Sequence, residues 1–157
     1  MLITLYLLGV CSLIFGLVPI VLTYKFRRYV QTKLEQQQIG YTPFASVLVP
    51  CKGTDLEFHE NIVSIVQQDY PDFEIIFITA TEGDPAYAEL QKIRSACHDV
   101  EIKLIVAGVH DGRAQKLNNL IFAYDHIRPE TEIVVHFDAD IRLDRNFLRS
   151  LVLPLKD

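Results

Sequence analysis

Hydrophobic and polar residues divide the chain into one long apolar run and a following part in which short apolar and polar stretches alternate. Residues 1–24 carry no charged side chain. A helix of that length, at about 1.5 Å per residue, crosses the roughly 30 Å hydrocarbon core of a bilayer. Lys25, Arg27 and Arg28 follow at once, and the run lacks a clear signal-peptide cleavage site. The pattern predicts a single-pass transmembrane anchor over residues 1–24, with the N-terminus outside and the remainder cytoplasmic.

The stretch after the anchor is polar over residues 25–42 and includes Gln36-Gln37-Gln38. We expect a juxtamembrane linker there, which either prolongs the helix or acts as a short spacer. From residue 43 to residue 157, short apolar runs alternate with segments of helical period, a pattern typical of successive βα units and a mainly parallel sheet. The predicted strands are residues 45–49, 73–79, 101–106 and 132–137.

Capping signals predict where the intervening helices begin. Thr54-Asp55-Leu56-Glu57 has the form of a capping box, and it precedes an apolar face of helical spacing. Asp84-Pro85 predicts an N-cap followed by proline in the first helical position. A last helix is expected to begin after Asp144, with Asp144 as its N-cap. The third helix is predicted over about residues 114–126, with a core-facing stripe of Leu117, Leu120, Ile121 and Tyr124.

Charge and cysteine content narrow the possible partners. The net charge of -5 belongs to the part after residue 24, because every charged side chain lies there. Basic residues are spread along the chain instead of forming one patch, so we expect no nucleic-acid partner. The three cysteines, Cys11, Cys51 and Cys97, are widely spaced. They suggest neither a disulfide framework nor a zinc site, which agrees with a reducing cytosol.

The fourth apolar run ends in two carboxylates, Asp138 and Asp140. Ligands of open α/β sheets bind beyond the carboxyl ends of the strands, and residues i and i+2 of an extended segment point the same way. Both side chains can therefore reach one hard cation such as Mg²⁺ or Mn²⁺, which in turn can hold a diphosphate. A polar turn with Asp140 as a helix cap is the alternative. His136 should point away from the carboxylates and be packed or hydrogen-bonded.

Four segments, taken together and in this order, carry a resemblance to a known family. They are Val47-Leu48-Val49-Pro50-Cys51-Lys52-Gly53, Gln68-Asp69-Tyr70-Pro71 with Phe73-Glu74-Ile75-Ile76, Gly112 to Leu120, and Phe137-Asp138-Ala139-Asp140 followed by Phe147-Leu148. From about residue 45 to residue 155 the chain resembles the inverting glycosyltransferases that include cellulose synthase, hyaluronan synthase and ceramide glucosyltransferase. Pro50 to Asp55 and Lys116 to Leu120 look most like the ceramide glucosyltransferase branch.

The resemblance implies a GT-A (Rossmann-like) α/β fold and a set of binding residues. The end of the first strand would cradle the base of a nucleotide sugar, with a UDP-sugar as the expected donor, while the paired aspartates hold Mg²⁺ or Mn²⁺ and the diphosphate. Residues implied in nucleotide-sugar binding are Pro50, Lys52, Glu82, Arg113, Lys116, Asn118 and Asp138. Residues implied in metal binding are Asp138 and Asp140.

Two departures from the family pattern leave assignments open. Family members hold the nucleoside with aspartates that here correspond to Thr79, Ala80 or Thr81, and Glu82 is the expected substitute. Asp84 is close by, but its position before Pro85 favours a capping role. Either Arg113 or Lys116 would meet the phosphate oxygens, and the resemblance does not choose between them.

The functional expectation is a membrane-anchored glycosyltransferase, or a fragment of one, that transfers sugar to a lipid or polysaccharide acceptor at the cytoplasmic membrane face. Family members carry a catalytic aspartate and a Gln-x-x-Arg-Trp motif in a later segment, and the 157 residues contain no tryptophan. We therefore expect the acceptor half to be absent, with the chain as a fragment, a remnant or one of two chains, and the catalytic base unknown. The alternative is a silent, membrane-tethered module for nucleotide-sugar binding or assembly.

The orientation can be tested by protease protection. Because Lys25, Arg27 and Arg28 favour the cytoplasmic side, protease added outside sealed right-side-out vesicles should leave residues 25–157 whole. Vesicles opened with detergent are the control, in which the same protease should digest the domain. Digestion in sealed vesicles would show the opposite orientation.

Overall fold

The computed structural model describes residues 2–35 and 41–156, and the chain divides into two compact units, Met1–Ile39 and Gly40–Asp157. The described part of the first unit is one helix, α1, Leu2–Glu35. Its segment Tyr6–Thr32 is long and apolar enough to cross a membrane. The helix continues past residue 24 into the expected linker, and Gln36-Gln37-Gln38 lies outside the described residues.

The second unit is an α/β domain with a parallel sheet of strand order β3-β2-β1-β4. The strands are β1 Ala45–Pro50, β2 Phe73–Thr79, β3 Glu101–Val106 and β4 Ile133–His136. The helices are α2 Phe58–Val66, α3 Pro85–Ala96, α4 Gln115–Tyr124 and α5 Phe147–Val152, followed by a 3₁₀ turn, Leu153–Lys156. The four predicted parallel strands are confirmed, although β1 extends to Pro50 and β4 is shorter than predicted at both ends.

Alternate residues of the central strands enter two separate cores. Val47 and Phe77 pack in the larger core, which α2, α3 and α5 cover. Leu48 and Ile76 point to the opposite face, where they pack near Ala123 of α4. Because side chains alternate along a strand, a strand covered on both faces is apolar at every position. The continuous apolar runs of the sequence are explained by these two layers.

Only one of the three predicted helix caps is confirmed. The side chain of Asp84 accepts a hydrogen bond from the backbone N–H of Ala86 at 2.9 Å, as expected for the N-cap of α3. The capping box at Thr54 is wrong, because α2 begins at Phe58 and its N-cap, Glu57, makes no side-chain capping bond. Phe58 is also the first side chain of this segment after Cys51 that is buried, so an earlier start would add no buried apolar contact.

The predicted cap of the last helix is also wrong. Asn146 is the N-cap of α5, and it makes no side-chain capping bond either. Asp144 takes part through its backbone carbonyl, which accepts a hydrogen bond from the N–H of Phe147 at 2.9 Å. The Asp144 carboxylate is exposed and adds no cap to the helix.

The predicted apolar stripe of α4 does not face the core. Leu117, Ile121 and Tyr124 are 51%, 46% and 46% exposed, and Leu120 is only partly buried. The helix buries Asn118, Asn119 and Ala123 instead. Loop and strand carbonyls beneath α4 need hydrogen-bond donors, and amide side chains provide them where leucine cannot. Backbone satisfaction therefore overrides the hydrophobic period in this helix.

His136 is turned away from the paired carboxylates, as predicted. Its Nε2 lies 3.0 Å from the hydroxyl of Tyr124, and the two rings meet edge to face. This hydrogen bond joins β4 to α4 on the face of the sheet that α4 covers. His136 is therefore a hydrogen-bonded residue of the strand.

A fully buried carboxylate, Glu74, ties together the amino-terminal ends of the strands. Its Oε1 accepts hydrogen bonds from the Ser46 hydroxyl at 2.6 Å and from the backbone N–H of Arg128 at 2.8 Å. Its Oε2 forms an ion pair with Lys103, whose Nζ lies 2.7 Å away, without the geometry of a hydrogen bond. The Ser46 hydroxyl also lies 2.7 Å from that of Thr131. Three strands and the connection from α4 to β4 thus meet at one side chain.

Replacing Glu74 with alanine should destabilise the domain by about 3 kcal/mol, because the Arg128 N–H and the Lys103 ammonium group lose their buried carboxylate partner. Urea unfolding of the full chain in detergent micelles, followed by pulse proteolysis, measures the change. Glu132→Ala is the matched control: Glu132 is exposed at the start of β4, and its loss should change the free energy of unfolding by no more than about 0.5 kcal/mol. Equal effects of the two substitutions would contradict the network.

Candidate functional site

The candidate site is an open cleft of about 740 Å³ at the carboxyl edge of the sheet. It lies where the chain order reverses: β2 pairs with one side of β1 and β4 with the other. Loops after adjacent strands diverge at such a switch point, which leaves a crevice for ligands. The cleft is lined by Pro50, Cys51, Lys52, Gly53, Thr54, Asp55, Phe58, Ala80, Asp84, Val109, Gln115, Lys116, Asn119, Asp138, Ala139 and Asp140.

The loop after β1 is held open by Gly53 and Asp84. Gly53 has a φ of 64°, in the left-handed region that glycine adopts without strain. Its backbone N–H donates to Asp84 Oδ1 at 2.7 Å, and the same oxygen caps α3. One carboxylate oxygen therefore fixes both the turn of the β1 loop and the start of a helix, which sets one wall of the cleft.

Cys51 contributes a neutral thiol to this wall. The side chain is 2% exposed, and its Sγ donates to the Val49 carbonyl at 3.4 Å. Burial, and then the nearby negative charge of Asp84, raise the pKa of the Cys51 thiol to about 12. Because the thiolate is the nucleophilic form, Cys51 is a packing residue of the cleft and not a nucleophile.

The paired aspartates lie on the opposite wall. The backbone N–H of Phe137 donates to the Leu48 carbonyl at 3.1 Å, so pairing with β1 continues one residue beyond β4 and fixes where the chain leaves the sheet. Asp138 and Asp140 then both line the cleft. Asp138 forms an ion pair with Lys116 from the start of α4, and both side chains are more than half exposed. The cleft thus brings two carboxylates and one ammonium group together.

These carboxylates fit a divalent cation that keeps part of its shell. Among the described residues, the structure contains no group of three or more His, Cys, Asp or Glu side chains placed to hold a metal. Mg²⁺ commonly binds through one or two carboxylates and completes its octahedron with water and substrate phosphate oxygens. Asp138 and Asp140 match that donor set and would leave room for a diphosphate.

Five of the eight residues predicted for binding line the cleft, namely Pro50, Lys52, Lys116, Asp138 and Asp140. The other three lie outside its lining. Glu82 is exposed in the turn after β2, and Arg113 places Nη2 at 3.1 Å from His110 Nε2. Asn118 is buried, and its Nδ2 lies 3.4 and 3.3 Å from the carbonyls of Ala107 and Gly108. Of the two cations left open by the sequence, the structure brings Lys116 to Asp138.

The sequence prediction missed the polar contacts that fix the start of α4, the helix that carries Lys116. Gln115 Nε2 donates to the Gly108 carbonyl at 2.8 Å and to Asn119 Oδ1 at 2.7 Å. Asn119 Nδ2 in turn donates to the carbonyl of Ile78 in β2 at 3.4 Å. The signal was present as the amide residues Gln115, Asn118 and Asn119 on either side of Lys116, but the hydrophobic period predicted an apolar inner face for this helix. Asp84, for which the sequence favoured a capping role over one in nucleoside binding, both caps α3 and lines the cleft.

Gln68 holds the loop that follows the aspartates in place by hydrogen bonds. It is 7% exposed, and its Nε2 donates to the carbonyls of Ser64 and Asp144, both at 2.9 Å. Its Oε1 accepts a hydrogen bond from the backbone N–H of Leu148 at 2.8 Å. Next to it, the Ser64 hydroxyl accepts from the N–H of Leu143 at 3.0 Å. The end of α2 therefore determines the path of the chain from Asp140 into α5.

Comparison with known sequences adds to this geometry. The sequence model of glycosyl transferase family 21 matches residues 4–157. The chain belongs to this family. One relative, ceramide glucosyltransferase 1 of Caenorhabditis elegans, is 30% identical over 82 residues, which are 52% of this chain and 18% of the relative. The ceramide glucosyltransferase of Komagataella phaffii is 28% identical over 130 residues, 75% of this chain and 25% of the relative.

The family 21 chain therefore spans about a fifth to a quarter of the length of the curated relatives that it matches. Each of those relatives is one continuous, longer protein, which gives no support to a second chain that completes the site. The expected likeness to the ceramide glucosyltransferase branch is confirmed by both matches.

Solved structures confirm the expected GT-A fold. The mannosyltransferase PcManGT from Pyrobaculum calidifontis, in complex with GDP-Man and Mn²⁺, aligns with a TM-score of 0.65 at 25% identity and covers 87% of this chain and 40% of its own. Residues 1–349 of S. aureus TarS, in complex with UDP, align with a TM-score of 0.50 at 19% identity, covering 69% of this chain and 30% of TarS. The family 21 domain is a GT-A fold preceded by an apolar helix.

Replacing Gln68 with methionine, of similar length, should destabilise the domain by about 2 kcal/mol, because the Leu148 N–H and two carbonyls lose their partner. Amides of residues 141–148 should exchange with solvent faster. Hydrogen exchange of the full chain in detergent, read by mass spectrometry, measures the effect. Gln67→Met, one residue away and exposed, is the control and should change neither quantity. Unchanged exchange in Gln68→Met would show that these hydrogen bonds are not needed to hold the loop in place.

Proposed function

We propose that this family 21 chain supplies the donor-binding part of a membrane glycosyltransferase that uses a UDP-sugar with Mg²⁺ or Mn²⁺. The observation that carries the proposal is the cleft itself, in which Asp138, Asp140 and Lys116 meet the loop after β1. Two carboxylates that can hold a cation, next to an ammonium group, suit a ligand with a charged diphosphate in the middle and a neutral group at each end.

Each wall of the cleft has a distinct task in this proposal. Pro50 and Lys52, at the end of β1, lie against the nucleoside. Asp138 and Asp140 hold the cation, which when bound neutralises charge that develops on the diphosphate as the glycosidic bond breaks. A cation at Asp138 would compete with Lys116 for the same carboxylate, and the Lys116 ammonium group would then be free to meet the phosphate oxygens. Lys116 then stabilises the leaving diphosphate by its own charge.

Arg113, Asn118 and Glu82 act from outside the cleft lining in this proposal. Arg113 stands near the start of α4 and can approach the phosphates only by leaving His110. Asn118 fixes the loop before α4 through the carbonyls of Ala107 and Gly108. Glu82 lies in the turn after β2 and reaches the nucleoside only if that turn shifts toward the ligand.

The acceptor is a lipid or glycan at the cytoplasmic face of the membrane in this proposal. Support comes from the apolar helix Tyr6–Thr32, from the basic residues Lys25, Arg27 and Arg28 that begin its charged part, and from relatives named ceramide glucosyltransferase. Nucleotide sugars are made in the cytosol, so a cytoplasmic cleft would have access to the donor. Membrane anchorage keeps the cleft near a lipid acceptor.

Calorimetric titration of the full chain in detergent micelles with UDP-glucose tests the proposal. Binding should strengthen when Mn²⁺ is present, and Asp140→Ala should abolish that gain, because of the two proposed ligands it leaves only Asp138, which is already paired with Lys116. Asp144→Ala is the matched control, since it removes the same charge from the same loop. It lies outside the cleft lining and should leave binding intact.

Two results would oppose the proposal. If Mn²⁺ makes no difference to the parent chain, the aspartates are a polar turn. If Asp140→Ala binds like the parent, the cation is held elsewhere. Either result would favour a silent module tethered to the membrane.

A further inference from the structure

A second polar pocket opens beside the Asp140 end of the cleft. It has a volume of about 630 Å³ and lies between the loop after β1 and the start of α2. Thr54, Asp55 and Asp140 line both spaces, so the pocket adjoins the cleft. Its lining is Thr54, Asp55, Leu56, Glu57, Asn61 and Asp140. Three carboxylates, a hydroxyl and an amide make this pocket rich in hydrogen-bond acceptors.

Asn61 is the unusual residue of this pocket. It is only 3% exposed, and among the described residues its Oδ1 has no hydrogen-bond partner. Its backbone is fully engaged, because the N–H donates to the Glu57 carbonyl at 2.9 Å and the carbonyl accepts from the Ser64 hydroxyl at 2.7 Å. Buried side-chain polar atoms are nearly always paired, and an unpaired one destabilises the fold. An amide at this position therefore needs a reason beyond packing.

The position of Asn61 relative to Asp140 is fixed by a short chain of hydrogen bonds. The Asn61 carbonyl is bound by the Ser64 hydroxyl, and the same hydroxyl oxygen accepts from the N–H of Leu143 at 3.0 Å. Leu143 follows Asp140 by three residues in the loop that Gln68 also holds. The unpaired amide and the second aspartate are thus presented to one pocket by connected elements.

The chemistry of the pocket favours a polyhydroxyl group over a second cation. Among the residues that the structure describes, Asp55, Glu57 and Asp140 included, no three His, Cys, Asp or Glu side chains lie close enough together to hold a metal. Separated acceptors around an open pocket suit several hydroxyl donors at once. Leu56, fully exposed at the rim, offers an apolar surface for the C–H face of a sugar ring.

We propose that this pocket is the subsite for the sugar of the bound nucleotide sugar, and that the Asn61 amide, turned so that its oxygen faces the pocket, accepts a hydrogen bond from a sugar hydroxyl. The inference rests on the proposed function, because the pocket adjoins the end of the cleft where Asp140 would hold the cation and the diphosphate. It adds a specificity-determining residue: Asn61 distinguishes a nucleotide that carries a sugar from one that does not.

The test compares the affinities of UDP and UDP-glucose for the full chain in detergent micelles with Mn²⁺, measured by calorimetry. Asn61→Leu, which is close to isosteric, should weaken UDP-glucose binding about tenfold and leave UDP binding unchanged, because only the sugar loses its partner. The same substitution should raise the midpoint of thermal unfolding of the ligand-free chain, because an unpaired buried polar atom is removed. A gain in stability together with a loss of sugar affinity separates a binding role from a structural one.

Two further variants make the result interpretable. Asn61→Asp keeps an acceptor oxygen, and although its charge repels both ligands, the ratio of the two affinities should stay near that of the parent. Glu60→Gln, an exposed neighbour on α2, is the matched control and should change neither affinity. GDP and GDP-mannose, measured in the same way, cover a guanosine donor.

The outcomes separate this inference from the proposed function. If the parent binds no nucleotide sugar, the proposed function fails and the subsite with it. If the parent binds but Asn61→Leu leaves the ratio of affinities unchanged, only the sugar subsite is overturned. An equal loss for UDP and UDP-glucose would also overturn it, since Asn61 would then act on the nucleotide or the cation.

Discussion

Parallel pairing between β1 and β4 is the constraint on which the site depends. Leu48 pairs with His136, and the next hydrogen bond, from the N–H of Phe137 to the Leu48 carbonyl, is the last before the chain turns away. That bond determines which residue first leaves the sheet, and it places Asp138 opposite the loop after β1. A shift of one residue in this register would turn Asp138 away from the cleft. The chemistry of the site is therefore fixed by backbone hydrogen bonds in an otherwise apolar strand.

Several polar side chains around the cleft form hydrogen bonds with backbone groups of the surrounding loops and strands. Asp84 binds the N–H groups of Gly53 and Ala86, and Gln68 joins the end of α2 to the loop before α5. Asn119 reaches the carbonyl of Ile78 in β2. Loops at the edge of a parallel sheet leave many N–H and C=O groups outside the strand ladder, and buried groups of this kind need partners. Amide and carboxylate side chains supply them and hold the loops still.

The sequence predicted the sheet well because its information is local and redundant. The runs from Ala45 and Phe73 are apolar at nearly every position, so both their state and their burial on two faces could be inferred. Asp138 and Asp140 could be found for the same reason, since they end such a run. The inner face of α4 could not be predicted from hydrophobic period. Its amide side chains bind carbonyls of residues distant in sequence, such as that of Ile78. A periodic pattern contains no information about such contacts. The unpaired side-chain oxygen of Asn61 could not be predicted from the sequence either, because pairing depends on the three-dimensional arrangement of its neighbours.

The exposed pair between Lys116 and Asp138 has a consequence for how the site behaves without ligand. Lys116 is a counter-ion for Asp138, so the two aspartates do not repel each other at full strength. In the proposed function, a divalent cation would have to displace this ammonium group from Asp138, which would lower the apparent affinity of the site for the cation. Because both side chains are more than half exposed, the pair is screened by salt over a Debye length of about 8 Å at physiological ionic strength. Ionic strength would therefore influence the exchange of the ammonium group for a metal cation at Asp138.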